Sequence, residues 1–188
     1  SPEEKNALRK ELGIEESRCF LAIGQFIHRK GFDILLKAAA KLPKDAGIYL
    51  VGGEPTEEYI TLRAELGLTN VHFLGFQNKQ TLTKYYHAAD VFVLPTREDI
   101  WGLVINEAMA YGLPVITTDR CVAGVELVED GVNGYVVPVR DVDTLAEKMN
   151  AMLSADLQAM GRASLEKIQP YTIENMAKVH EEIFENGR

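Results

Sequence analysis

Residues 91–118 read Val91-Phe92-Val93-Leu94-Pro95-Thr96-Arg97-Glu98-Asp99-Ile100-Trp101-Gly102-Leu103-Val104-Ile105-Asn106-Glu107-Ala108-Met109-Ala110-Tyr111-Gly112-Leu113-Pro114-Val115-Ile116-Thr117-Thr118. Four consecutive apolar residues, 91–94, predict a strand buried on both faces. A loop with two adjacent carboxylates, Glu98 and Asp99, follows. A helix then opens near Gly102 and carries a third carboxylate, Glu107. Gly112 and Pro114 end it, and a new strand begins at Val115. Strand, loop, helix and strand in this order make one unit of an α/β sheet. The free N–H groups of a helix start attract phosphate, and carboxylates accept hydrogen bonds from sugar hydroxyls. Acids beside a helix N-terminus point to a nucleotide-sugar site.

The same alternation extends in both directions. Short, β-branched, apolar runs at 19–23, 47–51, 71–74, 115–117 and 135–137 predict further strands. Helical patterns are expected at 32–42, 57–66, 80–89, 102–111, 122–128, 141–153, 156–168 and 173–186. Residues 1–14 read as a helical lead-in, with Ser1 as a cap and Leu8, Leu12 and Ile14 as its apolar side. Each linking segment is long enough for a helical crossover. The predicted architecture is α/β: a doubly wound, mostly parallel sheet of about six strands, helices on both faces, one Rossmann-like domain over 1–188. Ligands in such sheets bind outside the carboxyl ends of the strands. The loops at 24–31, 52–55, 74–78 and 96–102 are therefore the places to look.

Composition narrows the partners. The chain has 188 residues, 46% of them hydrophobic and 26% charged, as in a soluble globular protein. A net charge of −8 argues against nucleic acid, whose phosphates need a basic face. No apolar run approaches a membrane span, and no signal-peptide pattern is visible. The expected location is the cytoplasm, the inner face of the membrane included. Cys19 and Cys121 lack motif spacing and read as reduced structural thiols. His28, His72, His87 and His180 are scattered without metal-ligand spacing.

The run from Gly102 to Ile116 resembles the donor-site signature of retaining glycosyltransferases of family 4. The usual form there is Glu-Gly-Phe-Gly-Leu-Val-x-x-Glu-Ala-Met-Ala-x-Gly-x-Pro-Val-Ile. Asp99 stands where that signature has its first acid, eight positions before Glu107, and Glu98 stands one position earlier. Both remain candidates for the first acid, and the register favours Asp99. Trp101 takes the place of the family's Phe and reads as a buried loop anchor.

The loop after the first strand reads Gly24-Gln25-Phe26-Ile27-His28-Arg29-Lys30-Gly31. Gly24 allows close backbone approach, and Arg29 and Lys30 precede a helix start. The family commonly has Gly-Arg and, five residues on, Lys-Gly, with both cations on a diphosphate. Lys30-Gly31 matches the second pair, whereas Gln25 replaces the first cation, so Arg29 compensates in part. Gly52-Gly53-Glu54-Pro55 is not a dinucleotide fingerprint and reads as a tight turn needing positive φ. Leu74-Gly75-Phe76 resembles the loop that encloses the nucleotide base, where Phe76 has base contact and core burial as open readings. Asn133-Gly134 is read as a turn and Asp141 as a helix cap.

The resemblance implies the carboxyl-terminal, donor-binding domain of a two-domain retaining enzyme whose amino-terminal domain holds the acceptor. Catalytic roles would fall to Asp99 or Glu98, orienting the sugar, and to Lys30. Donor contacts would come from Gly24, Gln25, Arg29, Lys30, Phe76, Gly102, Leu103, Val104 and, on the ribose, Glu107. No cofactor or metal is implied, since the nucleoside diphosphate sugar is the substrate. The implied partners are that donor, the missing amino-terminal domain, and a glycan or lipid-linked acceptor of cell-surface polysaccharide or glycoconjugate synthesis. An epimerase-like domain on the same scaffold and a non-enzymatic nucleotide- or glycan-binding module are the alternatives. The chain alone is expected to fold without efficient transfer.

Overall fold

The computed structural model describes residues 1–171. The helix expected at 173–186 lies outside the described residues. The elements run α1 (Pro2–Leu12), β1 (Arg18–Ile23), α2 (Phe32–Ala39), β2 (Ala46–Val51), α3 (Glu57–Glu65), β3 (Val71–Phe73), α4 (Lys79–Ala88) and β4 (Val91–Leu94). They continue with α5 (Leu103–Ala110), β5 (Val115–Thr118), α6 (Val122–Leu127), β6 (Gly134–Val137), α7 (Val142–Met152) and α8 (Leu157–Ile168). The six strands form one parallel sheet in the order β3-β2-β1-β4-β5-β6. This is the Rossmann-like order, and its direction reverses between β1 and β4.

Alternate residues of each strand feed two cores. Phe20, Ala22, Ile48, Leu50, Val91, Val93 and Ile116 lie with α2, α3 and α7. Cys19, Leu21, Tyr49, Val51, Phe92, Leu94 and Val115 lie with α4, α5, α6 and the apolar side of α1. Consecutive apolar residues are needed because both faces of the sheet are covered. Phe20, Phe32 and Phe92 are almost fully buried. Each such side chain contributes about 1.5–3 kcal/mol on transfer from water.

The local signals that set the boundaries are visible in the caps. Ser1 and Glu4 form a reciprocal capping box on α1, and Asp141 accepts from the Thr144 N–H at 2.9 Å. Gly112, in the left-handed region at φ 71°, stops α5 ahead of Pro114. The α2 helix ends at Ala39, short of the expected residue 42. Lys41 and Leu42 close tighter turns on Ala38 and Ala39 before Pro43.

One expectation about a turn is overturned. Neither Gly52 nor Gly53 has positive φ. Gly52 is required instead by a close crossing, since a Cβ there would stand 1.8 Å from the Gly24 carbonyl oxygen. That crossing packs the ends of β1 and β2 together. The turn expected at Asn133-Gly134 lies one step earlier, over residues 131–133, and Gly134 is already the first residue of β6, paired with Val115. Asn133 is also buried, its amide donating to the Leu127 carbonyl at 2.9 Å and its oxygen accepting from the Glu129 N–H at 2.7 Å.

The lead-in helix is pinned by charge as well as by Leu8, Leu12 and Ile14. Asp90, 8% exposed, pairs with Lys5 at 2.6 Å and with Arg9, and accepts the Cys19 N–H at 2.8 Å. Burial alone would raise its pKa, but Lys5 and Arg9 hold the carboxyl below the usual range. No helix among the described residues is long and apolar enough to cross a membrane.

Candidate functional site

The switch point between β1 and β4 brings the two motif loops together. The β1 loop is anchored by Phe26, which is buried edge-on against Phe32, Tyr59 and Phe73 at 5.2–5.5 Å. Beyond it, His28–Lys30 forms a short 3-10 turn that Gly31 ends at φ 70°. Gly31 also lies against β4, where a Cβ would stand 2.0 Å from the Pro95 carbonyl oxygen. Only glycine satisfies both demands. Lys30 is thereby aimed across the gap at the β4 loop.

The acid loop is sewn to β5 and α6. Thr118 Oγ1 donates to the Thr96 carbonyl at 2.7 Å. The Asp99 N–H donates to Arg120 O at 3.0 Å, and Ala123 N–H donates to Trp101 O at 2.9 Å. Gly102 begins α5 at φ 84° without a side-chain cap, and a Cβ there would stand 2.7 Å from Cys121 Sγ. The half-buried Trp101 donates its indole N–H to Asn106 Oδ1 at 2.9 Å and packs on the core, as expected of a loop anchor.

Lys30 Nζ donates to Asp99 Oδ2 at 2.9 Å, with both side chains mostly buried. Arg29 approaches the same oxygen at 3.7 Å and donates to the Glu98 carbonyl oxygen at 3.2 Å. The structure therefore separates the two adjacent acids. Asp99 faces the cations, whereas Glu98 offers only its backbone carbonyl to the loops and is exposed.

Glu107 lies on the second turn of α5, not at its start, so it is not a simple dipole partner for the helix N-terminus. Tyr86, from the last turn of α4, donates its hydroxyl to Glu107 Oε2 at 2.9 Å. Tyr86 is 2% exposed and stacked at 4.5 Å on Tyr111. Burial, and then the charge of Glu107, push its pKa up, so the hydroxyl stays a donor. The sequence reading missed Tyr86. The pattern within α4 could not have found it, because an aromatic at that spacing reads as core.

The remaining expected residues scatter around this centre. Gln25 is exposed at the start of the β1 loop. A Cβ on Gly24 would meet Phe32 at 3.3 Å and Lys30 at 3.4 Å, so that position is tight but not closed. Leu103 is 70% exposed and Val104 is half-buried at the start of α5. Phe76 is 85% exposed, which removes the core reading and leaves its ring open to a flat ligand. The thiols are withdrawn from chemistry: burial pushes Cys19 up to about 12 and also raises Cys121.

This arrangement sets two cations and the start of α5 beside Asp99, with Glu107 one turn further along the same helix. Comparison with known proteins points the same way. The family model described as "Glycosyl transferases group 1" matches residues 4–167. A D-inositol 3-phosphate glycosyltransferase of Mycobacterium sp. (strain KMS) is 35% identical over 175 residues, covering 88% of this chain and 39% of that protein. The chain thus spans well under half the length of this curated relative. Among solved structures, Anabaena Alr3699/HepE in complex with UDP superposes with a TM-score of 0.89 at 25% identity, covering 99% of this chain and 53% of that one. The carboxyl-terminal domain of the group 1 glycosyl transferase LpcC from Francisella tularensis shares the fold. It gives a TM-score of 0.78 at 23% identity, covering 90% of this chain and 93% of that one.

Proposed function

The chain belongs to the glycosyl transferases group 1 family, and from that premise we propose that it is the donor-binding, carboxyl-terminal domain of a retaining glycosyltransferase. The complete enzyme moves a sugar from a nucleoside diphosphate sugar to an acceptor hydroxyl, in the synthesis of cell-surface polysaccharide or glycoconjugate. The supporting observation is the meeting of Lys30 with Asp99 at the switch point of the sheet, beside the α5 helix that carries Glu107. The relation to a protein solved with UDP, and the 39% share of the inositol phosphate glycosyltransferase that the chain spans, support the donor half in particular.

In this reading Lys30, Arg29 and the N–H groups around Gly102 and Leu103 hold the diphosphate and stabilise charge on it as it leaves. Electrostatic stabilisation of this kind often contributes more to catalysis than any other single effect. Asp99 orients the transferred sugar. Glu107, held by Tyr86, accepts the ribose hydroxyls, and Phe76 covers the base. The reading invokes no metal or cofactor. The acceptor is held by an amino-terminal domain at the carboxyl edge of the sheet.

The test is a thermal-shift and calorimetric panel of UDP, GDP, ADP and CDP with their nucleosides and sugar conjugates. Binding to the native state raises the melting temperature by mass action. One diphosphate is expected to bind far more tightly than its nucleoside. Equal, weak shifts for all ligands would reject the donor reading. Conversion of the sugar without an acceptor would assign an epimerase-like activity instead.

A further inference from the structure

The acid loop carries one more cation, which the donor reading leaves unused. Arg97 lies two positions before Asp99, and its side chain is only 10% exposed. It donates to both oxygens of Asp33, from Nη1 at 2.8 Å and from Nη2 at 2.7 Å. Nη1 also donates to the His28 carbonyl oxygen at 2.6 Å. Asp33 is the second residue of α2, and His28 begins the turn that presents Lys30. Burial alone would raise the pKa of Asp33, but the Arg97 guanidinium holds it down, so the pair is ionised at neutral pH.

The backbone repeats the connection. Arg97 N–H donates to Arg29 O at 2.7 Å. Thr96 Oγ1 lies 3.0 Å from Arg29 O and 2.9 Å from Glu98 O, with one proton to give to either. These contacts join residues 96–97 to residues 28–33 across the gap between β4 and β1. The strands themselves are paired there only at Phe20–Val91 and Leu21–Phe92, well before the loops begin. Beyond those pairs, Arg97 and its neighbour join the Lys30–Asp99 and Arg29–Glu98 contacts in relating one loop to the other.

We propose that Arg97 is a positioning residue. Its fork on Asp33 and the His28 carbonyl fixes the separation of the Lys30 ammonium from the Asp99 carboxylate, and so the place of a donor diphosphate relative to the transferred sugar. The inference rests on the donor reading above. The geometry demands arginine: a planar guanidinium serves two carboxylate oxygens and a carbonyl together, whereas a lysine ammonium is a point charge. A rigid setting of this kind matters because misplacing reacting groups by about 1 Å can cost two orders of magnitude in rate.

Arg97→Met, Arg97→Lys and Asp33→Asn are compared with wild type by two measurements. The first is the affinity for the tightest of UDP, GDP, ADP and CDP, and for its nucleoside. Each variant is expected to lose about ten-fold in diphosphate affinity, the scale of one charge-assisted contact, with the nucleoside little changed. The second needs no nucleotide: the rate at which an amine-reactive ester acylates Lys30, read by mass spectrometry against the other lysines. Release of Lys30 from Asp99 is expected to raise its relative rate several-fold in all three variants. Unchanged Lys30 reactivity in a variant that still folds would overturn the proposal. So would full recovery by Arg97→Lys, or a lower melting temperature with equal losses for both ligands. If wild type binds none of the diphosphates, the donor reading fails, and Lys30 reactivity still decides whether Arg97 positions the pair.

Discussion

Lys30 Nζ stands 2.9 Å from Asp99 Oδ2, although the two residues are 69 positions apart and leave different strands. The pair is 15% and 13% exposed. Each charge therefore holds the other in place before any ligand arrives. A diphosphate would share the ammonium with Asp99, or take it over, without ordering the lysine first. Preorganisation of this sort lowers the entropic cost of binding. Lys30→Ala is expected to weaken nucleoside diphosphate binding by about 1.5–3 kcal/mol, roughly ten-fold or more, and nucleoside binding much less. Equal losses measured by calorimetry would make Lys30 a structural residue.

Glu107 and Tyr86 are expected to act as a unit. Glu107→Gln keeps the shape but removes the charge and one acceptor, and Tyr86→Phe removes the donor that holds the carboxylate. Both variants should bind the diphosphate less well and lose preference for ribose over 2′-deoxyribose, Glu107→Gln more than Tyr86→Phe. Undiminished ribose preference in Glu107→Gln would take Glu107 out of the site.

Asp99 and Glu98 should prove unequal. In an enzyme that carries both domains, Asp99→Asn is expected to lower turnover much more than Glu98→Gln, because Asp99 faces Lys30 and Glu98 contributes its backbone. The opposite order of kcat values would give the role to Glu98. Near-normal turnover of the double variant would leave both acids outside the chemistry.

The isolated chain should bind donor yet transfer sugar poorly. Its described residues form one sheet, and holding an acceptor in place can supply many orders of magnitude in rate. Turnover with simple acceptors comparable to that of a two-domain relative would refute this.

Acid should loosen the lead-in helix first. The native pKa of Asp90 lies below its ordinary value, so the native state binds fewer protons than the unfolded chain as the pH falls. The stability it contributes is complete above about pH 4 and is lost as the pH drops through the native value. Asp33 shifts in the same direction and adds to the effect. Asp90→Asn strands Lys5 and Arg9, with an expected loss of about 3 kcal/mol at neutral pH, and it should flatten the acid side of the stability profile. A denaturation series between pH 7 and 3, on wild type and variant, measures both. Parallel profiles would show that Asp90 does not titrate with folding.

Much of this protein is legible along the chain. Runs such as Val91–Leu94 declare strands covered on both faces, and Ser1, Asp141 and Gly112 mark helix ends, because caps and periodicity act within a few residues. The motif residues Lys30 and Asp99 can likewise be picked out, since their loops lie at strand ends, and Glu107 from its place in the signature helix. The tertiary structure alone decided what these residues meet. Strand order is set by pairing between distant segments, and it put the β1 and β4 loops side by side. Only that adjacency joins Lys30 to Asp99 and Arg97 to Asp33, and only the stacking of Tyr86 on Tyr111, just past the end of α5, sets Tyr86 beside Glu107. A gap of 21 to 69 residues leaves no local signal for such contacts. They exist because burying both faces of one sheet fixes the helices, and the helices fix the loops.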